Sequence, residues 1–145
     1  MNNLSDFYQL VKDFCDSHNM INEFLFLGSS EDLSNREFNY RSIVLIPSSS
    51  NISRDLSRPI YTLSFDAAVL DKCPSGDELS LVKSTEENLF VVGQLQDYLI
   101  QTDENCYIED VDVLNYMSED ENVTSAMFTL TVSFARANYN KGIDF

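Results

Sequence analysis

Residue types able to do chemistry fall in two places. Carboxylates crowd the second half of the chain, at Asp103, Glu104, Glu109, Asp110, Asp112, Glu119, Asp120 and Glu121. Oxygen donors at that density suit a hard cation such as calcium, whose loops alternate carboxylates, place a glycine in mid-loop and close on a glutamate. Asp110-Val111-Asp112 supplies two such positions, but Leu114 replaces the third and no glycine follows. The spacing favours a solvated acidic face over a bound ion. A general acid–base pair needs one carboxylate set apart from the others, and none is. The second place is Cys15 and His18, three residues apart, as a thiol–imidazole pair on one helix face would be. Both lie on an apolar stripe with no oxyanion donors nearby, which favours a core cysteine and a helix-end histidine. The 4 glycines stand far apart, so no phosphate-cradling loop exists. Asn51-Ile52-Ser53 and Asn122-Val123-Thr124 match the glycosylation acceptor pattern, which matters only in a secreted chain. The expectation is a protein that is not an enzyme, with no cofactor, metal or catalytic residue.

Charge narrows the partners. Lys+Arg 9 against Asp+Glu 24 gives a net charge of −15, with no basic cluster. Phosphate neutralisation needs clustered cations, so specific nucleic-acid binding is not expected, and anionic lipid is repelled as well. A passage through which DNA slides without sticking is compatible with that charge. Cys15, Cys73 and Cys106 make an odd count at wide spacing, neither a disulfide framework nor a zinc site. With no signal peptide and no apolar run near the ~20 residues of a membrane helix, the expectation is a soluble protein of a reducing compartment, with no membrane partner. A chain of 145 residues, 43% hydrophobic and 12% aromatic, is expected to form one domain over 1–145 with an ordinary core.

The elements follow from periodicity. Leu4, Phe7, Tyr8, Val11, Phe14, Cys15 and His18 predict a helix over about 4–18, with Asn3 as N-cap and Asp6 in the first turn. Residues 20–35 read as a loop with a short strand or helical turn. Ile43-Val44-Leu45-Ile46 predicts a strand covered on both faces and stopped by Pro47. Tyr61, Leu63, Phe65, Ala67 and Val69 alternate with mostly polar residues, predicting a half-buried strand over 60–70. The two strands form an antiparallel hairpin with a long polar tip. A helix starts at Asp77, or at Ser84 if Ser84-x-x-Glu87 is a capping box, and buries Leu81, Leu89, Val92, Leu95 and Leu99. Gly93 lies off that stripe. A strand over 106–114, an acidic connection over 115–122 and a long strand over 123–136 complete the chain. In the last, Ala126, Phe128, Leu130, Val132 and Phe134 form the apolar face. The predicted fold is α+β, a two-layer arrangement with a mostly antiparallel sheet packed against helices, in the order α-β-β-α-β-β.

That order, with several local strings, resembles the tail-terminator or tail-completion proteins of tailed bacteriophages. The resemblance is carried by the N-terminal helix Leu4–His18, the loop Ile21-Asn22-Glu23-Phe24 and the strand pair Ser42–Pro47 and Pro59–Leu70, ending Val69-Leu70-Asp71. It continues through Ser84-Thr85-Glu86, the helix Val91-Val92-Gly93-Gln94-Leu95-Gln96-Asp97-Tyr98-Leu99, an acidic strand and the final Phe/Leu/Val strand. It covers most of the chain as a pattern, without a diagnostic residue. The resemblance implies a homo-oligomeric ring, sixfold or twelvefold, assembled in the host cytoplasm and sited in the virion at the head–tail neck. The ring would join the portal or connector to the tail and line the DNA passage. The longish segment Ser48–Leu56 and the end Asn138–Phe145 depart from the pattern.

Two readings from different classes remain. In the ring reading, Ile52 and Leu56 in the polar hairpin tip and Ile143 and Phe145 in the end segment are expected oligomer contacts, since each is apolar in an otherwise polar projection. The alternative is an acidic monomeric binding module, such as a DNA-mimicking inhibitor that occupies a basic cleft.

Overall fold

In the computed structural model, which describes residues 3–29, 31–34, 38–52, 60–74, 77–102, 105–118 and 121–135, two long helices cover one face of a twisted sheet. Helix α1 (Leu4–Ser17) starts where the sequence predicts: the Asn3 side chain accepts a hydrogen bond from the Asp6 amide, and Phe7, Val11, Phe14 and Cys15 are buried. Strand β1 (Glu23–Phe26) and a single helical turn α2 (Glu31–Ser34) follow. Strands β2 (Ser42–Ile52) and β3 (Ile60–Pro74) form the expected antiparallel hairpin. Helix α3 (Glu78–Thr102) crosses the sheet, and β4 (Cys106–Val113), β5 (Tyr116–Ser118) and β6 (Glu121–Ala135) close the order.

The sheet runs β1-β2-β3-β6-β4, with the three-residue β5 also on β6. All pairs are antiparallel except β1 with β2. The α+β class expected from the sequence is the observed one, and the order of the main elements gains a strand to become α-β-β-β-α-β-β. The added strand, β1, is only four residues long and gains its order by pairing along residues 42–45 of β2, a contact that periodicity does not encode.

The front of the sheet meets the helices. Phe65 of β3 has no exposure, stacks on Phe7 of α1 with ring centroids 5.4 Å apart and meets Phe26 of β1 edge-on at 5.6 Å. Phe14 of α1 lies 5.4 Å from the Tyr98 ring of α3, tying the helices to each other. The alternating residues of β6, from Ala126 to Phe134, enter this core as the period of two requires.

Several boundaries differ from expectation. Pro47 does not stop β2, which continues to Ile52 paired with β3. β1 ends opposite Leu45, so Pro47 lies where β2 has become the sheet's outer strand, and a register shift at Ser48 absorbs the ring. Residues 48–52 of the expected polar tip are therefore strand. In the expected connection 115–122, Tyr116–Ser118 folds back as β5 onto Glu121–Val123.

Helix α3 departs most. Asp77 caps it, with its carboxylate accepting from the Ser80 amide and hydroxyl at 3.1 and 2.7 Å. These bonds hold the Asp77 carboxyl below its usual range. Ser84 is then no cap but a buried residue of the helix interior. The inward arc holds Ser84, Asn88, Val91, Val92, Leu95 and Leu99. Of the expected core residues, Val92, Leu95 and Leu99 are buried, Leu81 is half-buried and Leu89 is 40% exposed. The true arc is rotated from the expected one because two of its positions are polar and find polar partners on the sheet.

Candidate functional site

Those partners form the principal buried polar constellation. Arg41, directly before β2 and only 7% exposed, donates from Nε to Asn88 Oδ1 at 2.8 Å. One of its terminal nitrogens donates to Asp71 Oδ2 and Glu87 Oε2, also at 2.8 Å each. Ser84 donates to Asp71 and shares a hydrogen bond with Thr124, which also accepts from the Asn88 amide at 2.9 Å. Six side chains from the β2 entry, β3, α3 and β6 thus form one connected network. Among the described residues, no buried side-chain nitrogen or oxygen lacks a partner. A buried charge bonded to both the sheet and α3 acts as a clamp: it fixes α3 on the sheet.

The thiol–imidazole pairing is absent. His18 caps α1, its Nδ1 accepts from the Met20 amide at 3.1 Å, and its Nε2 is bonded to Gln94 of α3. An accepting Nδ1 leaves Nε2 as the donor to the Gln94 carbonyl oxygen, so both ring nitrogens serve structure. Burial, reinforced by Asp16, pushes the Cys15 thiol up to about 12. Burial, with Asp71 and Asp77, also raises the Cys73 thiol. All 3 cysteines are free and buried.

The carboxylates of β4 face solvent. Glu109, Asp110 and Asp112 are exposed, with Asp110 at φ 55 in a bulge opposite β6. Among the described residues, no group of three His, Cys, Asp or Glu side chains could hold a metal ion. Asp103, Glu104, Glu119 and Asp120 lie outside the described residues, and Glu121 opens β6. No helix among the described residues is long and apolar enough to cross a membrane.

What stands out instead is exposed apolar surface. Of the expected contact residues, Ile52 ends β2 at 48% exposure, while Leu56, Ile143 and Phe145 lie outside the described residues. On the back of the sheet, a groove of about 230 Å³ is lined mainly by Phe38, Val44, Ile46, Leu70, Leu114 and Met127. It lies at the opposite end of the β2–β3 ladder from Ile52, six residues or roughly 20 Å from it along the strand at about 3.3 Å per residue. Beside it the back face turns polar, with Thr62 bonded to Ser133 and Ser64 to Thr131 across β3 and β6. The alternation in β3 and β6 marks this face as mostly polar. The groove escapes that pattern because its apolar residues are drawn from five segments remote in sequence.

No protein-family model matches the sequence, and no curated protein is significantly similar to it.

Proposed function

We propose that the chain is a structural subunit of a ring at the head–tail neck of a tailed bacteriophage, joining portal or connector to tail and lining the DNA passage. One observation carries the reading on the protein's own residues: the apolar features the subunit exposes include two dissimilar ones at opposite ends of the β2–β3 ladder, the Ile52 end of the hairpin and the groove behind the sheet. A ring needs a head-to-tail contact, made by two different surfaces on each subunit, whereas a two-fold dimer uses one surface twice. The Ile52 end of one copy's hairpin meeting the groove of the next is such a contact. The acidic, exposed face of β4 suits a lumen that must not hold DNA. Repulsion between subunits of −15 charge opposes closure, so assembly is expected at high salt or on a template.

The test uses two variants, Ile52→Asp at the hairpin end and Met127→Lys in the groove. At high salt the wild-type protein should give native masses at six or twelve times 16.6 kDa. Each variant alone should remain a monomer, and the two mixed should stop at a dimer, because only one good contact can form. A wild type that stays monomeric at high salt and on purified tails would overturn the reading. That result would favour the acidic-module alternative, which has its own support in Asp66, Glu109 and Asp112, exposed on one sheet face on the two strands that flank β6.

A further inference from the structure

Helix α3 is apolar on two sides. At about 100° per residue, its buried residues fill an arc of roughly 100°, and Leu79, Val82, Leu89, Phe90 and Ile100 fill another of the same width nearly opposite. All five are exposed, Leu79 at 70% and Phe90 at 57%. Isolated exposed hydrophobics need no explanation, but these five share one side of a 25-residue helix roughly 37 Å long: Leu79 and Val82 near its start, Leu89 and Phe90 at its middle and Ile100 near its end.

The charges around the stripe are biased. Glu86 and Asp97 fall within it and Glu78 on its edge, against Lys83 alone. At its middle, Phe90 borders a cavity of about 370 Å³ whose other walls are Met20, Lys83, Glu86 and Glu87. Gly93, one turn on, is exposed and has open space where a side chain would project, so a second backbone can approach closely there. A second copy of α3 would bring the same acids against these and be repelled. A helix with apolar residues at i, i+3, i+4 and i+7 and flanking lysines or arginines is complementary on both counts: its apolar side covers the stripe and its cations reach Glu86, Asp97 and the cavity rim.

We infer that the outward face of α3 is a docking site for a cationic amphipathic helix of a partner protein. The inference does not depend on the ring reading, because α3 lies on the face of the sheet opposite the groove. The probe is a fluorescein-labelled 18-residue amphipathic peptide with a Leu/Phe stripe and lysine flanks, compared with the same peptide carrying glutamates for lysines. Fluorescence anisotropy should show the lysine peptide binding the wild-type protein, more weakly as salt rises, and the glutamate peptide not binding. Phe90→Ser, an exposed change that leaves the core untouched, should weaken binding at least tenfold, and Glu86→Lys should do the same. Ile52→Asp should bind as wild type does, which separates this result from the fate of the ring. Binding that survives Phe90→Ser would mean adsorption to the acidic surface at large and would overturn the proposal. So would absence of binding, or a protein that sediments as a dimer and becomes monomeric on Phe90→Ser, which would give the stripe to a second copy.

Discussion

Replacing Arg41 by methionine should cost about 3 kcal/mol, and the structure says where each part arises. Methionine keeps most of the apolar length of the side chain, so packing changes little. The lost bond from Nε to Asn88 joins a charge to a buried amide, a type worth about 1.5–3 kcal/mol. Asp71 loses its countercharge but keeps its bond from Ser84 and is 21% exposed, so its loss stays below the 3–5 kcal/mol typical of breaking a fully buried pair. Glu87 is 47% exposed and solvent takes over most of its role, leaving about 0–1 kcal/mol. Relief of the desolvated guanidinium offsets part of the total. Urea denaturation monitored by circular dichroism should show the midpoint falling at unchanged slope, and the thermal midpoint should fall by roughly 6–12 °C. Glu87→Gln in the same assay should cost under about 1 kcal/mol. An Arg41→Met protein no less stable than Glu87→Gln would refute the view that this clamp holds α3 to the sheet.

Further outcomes follow from the structure and the charge. Val92→Asp puts a charge without a partner into a site 3% exposed and should leave the protein unfolded or insoluble; an equally stable variant would contradict the helix register. Gly93→Ala meets no neighbour and should add about 1 kcal/mol by helix propensity, read as a raised urea midpoint. Cys15, its thiol held up to about 12 by burial, should resist iodoacetamide at pH 8 while folded and react once unfolded in urea. Because its folded value exceeds the ordinary 9.0, its share of stability is whole below pH 9 and is lost as pH rises from there toward 12, a fall that Cys15→Ala should flatten. The purified protein should show no affinity for duplex DNA in a fluorescence titration at physiological salt, and micromolar salt-dependent binding would contradict the charge argument.

By itself the sequence determined what depends on neighbours along the chain. The α1 stripe and its Asn3 cap, the alternation of β3 and β6, the hairpin and the α+β class all rest on periods of 3.6 and 2, which decide locally which side is apolar. Tertiary structure decided what depends on partners remote in sequence. β1 is a strand because β2 lies beside it, and β2 outruns Pro47 because its outer edge is open there. Hydrophobicity alone does not show the buried face of α3, because Ser84 and Asn88 count as polar until Arg41, Asp71 and Thr124 satisfy them. The second stripe is hidden for the same reason: by periodicity Leu89 belongs with Val92 and Leu95, yet it is exposed, as is Phe90. A one-dimensional pattern records that a helix has apolar residues on both sides. Only the position of the sheet decides which side is buried, and so which is left for a partner.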